Sequence, residues 1–305
     1  MSTSTPISGI YPAVVTPLIA DGSTIDFAAL ERHVERLITA GVSGLIVGGT
    51  TGEFTTLSKD ERKALHAAAV KAAAGRVPVF VQTGALTTLE AIELTEHAKS
   101  IGASAVMVIA PYYEGLTFAE VKQYYTDITS AVDIPVMIYY FPDATRISLS
   151  VEELAELADL PGISYVKFSS DELDVFNTAR EQLAGRIQFI NGMDGELFST
   201  LAEGSDSVVL GSANIIPELA VRIYNAVKNG DLEEARELWA PIEPLMQFLE
   251  SSAYVVKVKA ALEILGQSVG PVRRPLLPLT EEERAELAQL VSALPTPVSS
   301  TSASQ

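Results

Sequence analysis

Short apolar runs alternate with amphipathic stretches along most of this chain. Eight runs read as strands: Ile10 to Val15, Val42 to Val47, Val77 to Val81, Ala103 to Ala110, Ile134 to Phe141, Ile163 to Phe168, Ile187 to Ile190 and Ser207 to Leu210. Each is brief and mostly apolar, as a strand buried on both faces requires. The segments between them repeat apolar residues at helical spacing, for example Phe27, Leu30, Val34, Leu37 and Ile38. Capping boxes mark helix starts independently at Ser58-x-x-Glu61, Thr87-x-x-Glu90, Thr117-x-x-Glu120 and Ser150-x-x-Glu153. Eight strand–helix alternations predict a closed (β/α)8 TIM barrel, since doubly wound sheets usually have fewer strands.

After Pro217 the strand signals stop. Helices are expected over 218–228, 232–248, 254–265 and, behind a Thr280-x-x-Glu283 cap, 281–293. The expected organisation is a barrel carrying the active site over residues 1–225, a C-terminal helical appendage over 226–295, and a disordered Ser/Thr/Pro-rich tail over 296–305.

Within that frame one residue is out of place. Lys167 sits inside the strand run Ile163-Ser-Tyr-Val-Lys-Phe168, whereas the other eight lysines fall in segments that read as helix. A buried ammonium is costly, so such a lysine is either paired with a carboxylate, placed at an exposed strand end, or kept as an amine nucleophile for a Schiff base. A free lysine titrates near about 10.4, and an amine nucleophile needs surroundings that disfavour the ammonium.

Barrel active sites lie at the C-terminal ends of strands, which singles out the loops there. Strand two runs into Gly48-Gly-Thr-Thr-Gly-Glu53, whose glycines and hydroxyls suit a close approach to an anion. Strands four and five end in Pro111-Tyr-Tyr113 and Tyr139-Tyr-Phe-Pro142, supplying phenols able to carry protons. Gly192-Met-Asp-Gly195 and Gly211-Ser-Ala-Asn214 follow strands seven and eight without a basic residue, so they read as turns or as a lining for a sugar chain; Asp194 and Glu196 are candidate selectors of a polyhydroxy substrate. An amine, phenols and a hydroxyl-rich anion pocket at one rim are what a Schiff-base enzyme acting on a 2-oxo acid needs.

Composition narrows the field further. The net charge of −18 and the lack of basic clusters argue against a nucleic-acid partner. Cysteine is absent, and His33, His66 and His97 are scattered without metal-ligand spacing, so neither a thiolate site nor a metal is expected, and no cofactor is implied. No stretch approaches the ~18 apolar residues of a membrane span, and the first residues lack an export signal, so a cytoplasmic protein is expected.

The order of these motifs also resembles a known family. Tyr11-Pro-Ala-Val-Val-Thr-Pro17, Gly49-Thr-Thr-Gly-Glu53 with Thr56-Leu-Ser58, Pro111-Tyr-Tyr113, Ile138-Tyr-x-x-Pro142, Val166-Lys167, Lys259-Ala-Ala-Leu and Arg273-x-Pro275 are similar to the successive motifs of the dihydrodipicolinate synthase/N-acetylneuraminate lyase family. The resemblance implies a class I lyase acting on pyruvate and an aldehyde, usually a homotetramer. By position, Lys167 would form the Schiff base, Tyr139 would relay protons, and Thr50 and Thr51 would hold the 2-oxo-acid carboxylate. Thr50 would also link Tyr139 to Tyr113, a tyrosine that reaches in from a neighbouring subunit in many members, while Gly192 and Val209 would line the substrate. The chain departs from the synthases at Ala144, where they carry an arginine for the aldehyde's carboxylate; Arg146 lies two residues further on. Tyr140 and Phe141 replace a more usual Asn-Val, and Gln82 a glycine. The expected activity is therefore aldol cleavage or formation on a 2-oxo-3-deoxy sugar acid or hydroxy-oxo acid. The alternatives are dihydrodipicolinate synthase itself, a sugar-acid dehydratase, and a non-catalytic sugar-acid-binding barrel.

Overall fold

The computed structural model describes residues 6–295. Eight parallel strands, β1 (Gly9–Val14), β2 (Leu45–Val47), β3 (Val79–Gln82), β4 (Ala105–Ile109), β5 (Val136–Tyr140), β6 (Ile163–Phe168), β7 (Gln188–Asn191) and β8 (Ser207–Leu210), close into a barrel in sequence order. The architecture is the expected TIM barrel. Several apolar runs overshoot their strands because flanking residues such as Val42, Ala110 and Ile134 are buried in the connecting turns.

Alternation along each strand divides two cores. On β4, Val106 and Val108 face the surrounding helices while Ala105, Met107 and Ile109 fill the interior. On β5, Val136, Ile138 and Tyr140 face outward, and Met137 and Tyr139 inward. Tyr11, Phe80 and Tyr165 form an aromatic plug, with ring centroids 6.0 and 5.4 Å apart. A register shift between Val136 and Met137 puts Tyr165, and two residues on Lys167, on the inner face of β6, with Tyr139 and Ile190 as Lys167's neighbours.

The outer helices are α1 (Phe27–Thr39), α2 (Lys59–Ala73), α3 (Thr88–Ser100), α4 (Phe118–Ala131), a single turn α5 (Pro142–Thr145), α6 (Val151–Ala158), α7 (Leu173–Gln182), α8 (Leu197–Ala202) and α9 (Pro217–Lys228). The boxes at Ser58, Thr117 and Ser150 are reciprocal; at Thr87 only the side-chain-to-Glu90 half forms. Beyond them lie α10 (Leu232–Trp239), α11 (Glu243–Ser251), α12 (Tyr254–Ile264) and α13 (Glu281–Ser292). The single helix expected over 232–248 is thus two helices. Pro241 lies at the break, where it has no N–H to donate and its ring opposes the preceding turn.

These last helices share a core with the strands that close the barrel. Ile10 and Val208 pack in one cluster with Ile223, Trp239, Leu249 and Leu262. The boundary expected at 225/226 falls inside the continuous α9, and the tail expected to be disordered lies outside the described residues. Among the described residues, no helix is long and apolar enough to cross a membrane.

Candidate active site

Lys167 is 5% exposed and lies two residues beyond Tyr165 of the aromatic plug along β6. Its Nζ lies 4.2 Å from the centroid of the Tyr139 ring, and no ion pair involves it among the described residues. Burial alone does not distinguish it, although it is the one lysine that the strand pattern singles out. Lys257 and Lys259 are 1% and 3% exposed. Lys257 donates to Phe248 O and Ser251 Oγ, both at 2.7 Å, at the end of α11, and Lys259 pairs with Glu53. Lys257 also lies over a ring, 4.2 Å from the centroid of Phe248, so Lys167 differs from it by lacking the carbonyl and hydroxyl acceptors and from Lys259 by lacking a carboxylate.

Gly192, at the end of β7, makes room for this lysine. A Cβ there would come 2.7 Å from Lys167 Cε and 2.3 Å from Ser169 Oγ, too close for any side chain without displacement. Val209 lies in the interior cluster with Tyr139 and Ile190. Thr50 is exposed at the rim, its Oγ1 3.5 Å from Tyr139 Oη, while Thr51 is buried beside it. The N–H groups of Glu53 and Phe54 turn back to Thr50 O (3.0 Å) and Gly49 O (3.3 Å). Those of Thr50 and Thr51 make no hydrogen bond within the described residues, so two donors and two hydroxyls are available to an anion. Gly48 holds a positive φ of +71° under this loop, and a Cβ there would lie 2.8 Å from the buried His66.

The loop is anchored from the far end of the chain. Glu53, buried with a left-handed φ of 56°, forms an ion pair with Lys259 and accepts the Arg273 N–H at 2.8 Å. Lys259 also donates to Pro271 O at 2.8 Å; burial pulls its pKa down and Glu53 opposes that shift. The Arg273 guanidinium grips Glu61 through both carboxylate oxygens (2.8 and 2.9 Å) and donates to Thr56 O, Gly22 O and Ser23 O. From the loop that follows β1, Thr16 Oγ1 donates to Gly52 O at 2.6 Å. Glu53, Lys259 and Arg273 had no assigned role from sequence; their only signal was membership of the ordered motifs.

Across the mouth the lining changes character. Phe141 stacks on Tyr139, with centroids 5.6 Å apart and planes at 18°, and Tyr112 meets Phe54 edge-on at 5.6 Å. Phe141, Tyr112 and Ala144 all pack against the interior cluster while staying half-buried. Arg146 is exposed, in the left-handed residue that ends α5. Arg62 lies 5.3 Å over Phe54 but donates to Gln82 O, Gln82 Oε1 and Gly84 O, all within 3.0 Å.

At the β7 and β8 end, Asp194 is 3% exposed and turned into the protein. It accepts from Ser212 N at 2.8 Å, from Ser212 Oγ and from Tyr254 Oη. Burial raises its pKa against those hydrogen bonds. Glu250 accepts the N–H groups of Asp194 and Gly195 at 2.8 and 3.2 Å; burial, then repulsion from Asp194, pushes its carboxyl up to about 7. Glu196 is held by Ser199 Oγ. The expected role in selecting a polyhydroxy chain is therefore not supported for Asp194, which spends both oxygens on protein donors, whereas half-buried Glu196 spends one.

Tyr113 is not brought to this mouth within one chain. It is 77% exposed and lines an outer groove of about 440 Å³ with Leu86, Pro111 and Leu116. Leu86 and Leu89, 49% and 81% exposed, extend the apolar surface. Among the described residues no group of three His, Asp or Glu is placed to hold a metal ion.

Comparison with known proteins agrees over the whole described length. The model of the Dihydrodipicolinate synthetase family matches residues 6–294. A 4-hydroxy-tetrahydrodipicolinate synthase of Methanopyrus kandleri is 35% identical over 289 residues, 94% of this chain and 96% of that protein. An uncharacterized DapA-like lyase of Halobacterium salinarum is 36% identical over 281 residues, 92% of each chain. The solved structure of the chloride-inhibited dihydrodipicolinate synthase from Acinetobacter baumannii, complexed with pyruvate, matches with a TM-score of 0.90 at 32% identity, over 94% of this chain and 99% of that one.

Proposed function

Because the chain belongs to the dihydrodipicolinate synthetase family, whose members are carbon–carbon lyases, we propose that it is a class I lyase whose Lys167 forms an imine with pyruvate or a related 2-oxo acid. The observation that carries this reading is the position of Lys167: buried, without a carboxylate partner, and over the ring of Tyr139, whose hydroxyl lies 3.5 Å from Thr50 Oγ1.

The 2-oxo-acid carboxylate sits on the N–H and hydroxyl groups of Thr50 and Thr51. The unprotonated Lys167 amine attacks C2, and the carbonyl oxygen leaves as water after two proton transfers. Tyr139 carries those protons, with Thr50 Oγ1 next to its hydroxyl. Loss of a C3 proton gives the enamine. Its C3 attacks an aldehyde carbon, whose oxygen takes up a proton, and water hydrolyses the imine to release a 4-hydroxy-2-oxo acid and the free lysine. Nothing is oxidised or reduced, and cleavage is the same sequence reversed.

The test is to incubate the protein with pyruvate and borohydride and map the mass increase. Reduction of a pyruvyl adduct onto Lys167 is the expected result. An unmodified Lys167 in folded protein that binds pyruvate would reject the imine and favour a non-catalytic barrel.

The exposed Tyr113 and its apolar surroundings support assembly through this face, with Tyr113 entering a neighbour's site. Mixing inactive Lys167→Ala and Tyr113→Ala proteins should then restore activity through sites that pair an intact lysine with an intact tyrosine. A mixture that stays inactive despite subunit exchange would remove Tyr113 from the mechanism.

A further inference from the structure

The lining of the mouth bears on the second substrate, which the imine chemistry leaves open. Two kinds of aldehyde would need polar reception. One carrying a carboxylate needs a cation, and a polyol needs a row of donors and acceptors. Neither is in place on the side facing the enamine. Ala144 presents a methyl group, Arg146 is exposed beyond it, and Arg62 is committed to the carbonyls of Gln82 and Gly84 and to the Gln82 amide oxygen. The polar side chains at the β6, β7 and β8 ends are bonded to the protein, although Glu196 keeps one carboxylate oxygen without a partner among the described residues. Asp194 is held by Ser212 and Tyr254, and Glu196 by Ser199. Asn191 exchanges two hydrogen bonds with the Met193 backbone (2.8 and 3.0 Å), and Ser170 donates to Glu172 at 3.2 Å.

What is left is aromatic. Phe141 lies parallel to Tyr139, the ring that Lys167 itself faces, and Tyr112 stands edge-on to Phe54; with Ala144 they leave apolar surface half exposed beside the nucleophile. Parallel rings with a methyl beside them accommodate a flat apolar group and desolvate a charged one.

We propose that the aldehyde partner is apolar and flat, an aromatic or conjugated aldehyde with neither a carboxylate nor a polyol chain. The inference rests on the Schiff-base reading above. It selects the hydroxy-oxo acid over the sugar acid: condensation gives a 4-hydroxy-2-oxo acid with an aryl or alkenyl group on C4.

The experiment pairs imine trapping with an aldehyde panel in the same enzyme preparation. Pyruvate consumption is followed with benzaldehyde, cinnamaldehyde, glyceraldehyde and aspartate semialdehyde. The expected result is kcat/KM for one of the first two exceeding both others by at least about tenfold, within the range that apolar pockets achieve. Ala144→Arg should reverse the ranking toward aspartate semialdehyde while pyruvate still reduces onto Lys167, which also shows that the variant folds. Trapping on Lys167 together with preference for glyceraldehyde or aspartate semialdehyde, or with no turnover of any aldehyde, overturns this inference and leaves the imine standing. Absence of trapping removes the imine, and this inference with it.

Discussion

The two sides of the barrel mouth are built on opposite plans. The side formed by the β2 loop is held by ion pairs and hydrogen bonds that reach across more than two hundred positions of sequence, from Glu53 to Lys259 and Arg273. The side formed by the ends of β4 and β5 is held by ring contacts and by hydrogen bonds of much shorter reach, such as Thr145 Oγ1 to Phe141 O at 3.0 Å and Tyr140 Oη to Glu172 at 2.8 Å, with α5 contributing a single turn and the methyl of Ala144. An anion needs fixed donors, since each misplaced N–H forfeits much of its worth against water, whereas apolar contact tolerates adjustment. On the proposed mechanism the difference is a division of labour: one wall would fix the 2-oxo acid and the other decide what joins it.

Each wall can be tested separately. The largest effect is expected where they meet. Tyr139→Phe should slow imine formation by about 10²–10⁴-fold, the range of general acid–base groups, in rapid-quench borohydride trapping; an unchanged rate would assign the protons elsewhere. On the tied wall, Lys259→Met leaves Glu53 buried beside an apolar chain. It should destabilise the protein by about 3–5 kcal/mol in urea unfolding, as breaking a buried pair does. KM for pyruvate should rise as well, and Lys259→Arg should recover part of it. A loss of stability with an unaltered KM would make the anchor irrelevant to the anion pocket.

The aromatic wall should respond more mildly and in a different parameter. Phe141→Ala should leave the pyruvate imine rate within about threefold, while raising KM for the aldehyde by roughly tenfold, as loss of a half-buried ring implies. Equal damage to both substrates would end the division of labour. The smallest effect concerns Glu250, outside both walls. Its folded pKa of about 7 lies above its unfolded value, so the folded state binds more protons between the two, and the stability contributed is present below the unfolded pKa and lost as pH rises toward 7. Glu250→Gln should flatten the fall in stability between pH 5 and 8; an unaltered slope would place the titration elsewhere.

The plan of the barrel was legible because its signals are local. Strand runs, capping boxes and the rim position of Lys167 all lie within a few residues of one another. The break at Pro241 was equally local and was passed over, because apolar spacing continues across it. What could not be read were facts of long separation. Nothing in the helical spacing of α12 distinguishes Lys257 and Lys259 from surface lysines; their burial comes from the elements folded over them. Asp194 sits where a substrate ligand would be expected, and only the approach of Tyr254 from α12 and Ser212 from the β8 loop turns it inward. The register shift at Met137, which sets the face on which Lys167 emerges, depends on a partner strand and leaves no mark in composition.

The anchoring of Glu53 by Lys259 and Arg273 also has a meaning in time. A chain emerging from the ribosome produces the eight strands first, and they can begin to associate while the last helices are still being made. Until residue 273 is free of the exit tunnel, Glu53 lacks the Lys259 ammonium or the Arg273 N–H that it accepts in the folded protein, and its acidic side chain has no reason to leave water. The order of synthesis therefore separates shape from competence: on the proposed mechanism, a nascent barrel would have Lys167 in place before its loop for the 2-oxo acid is anchored, which would defer imine chemistry until the C-terminal helices have emerged.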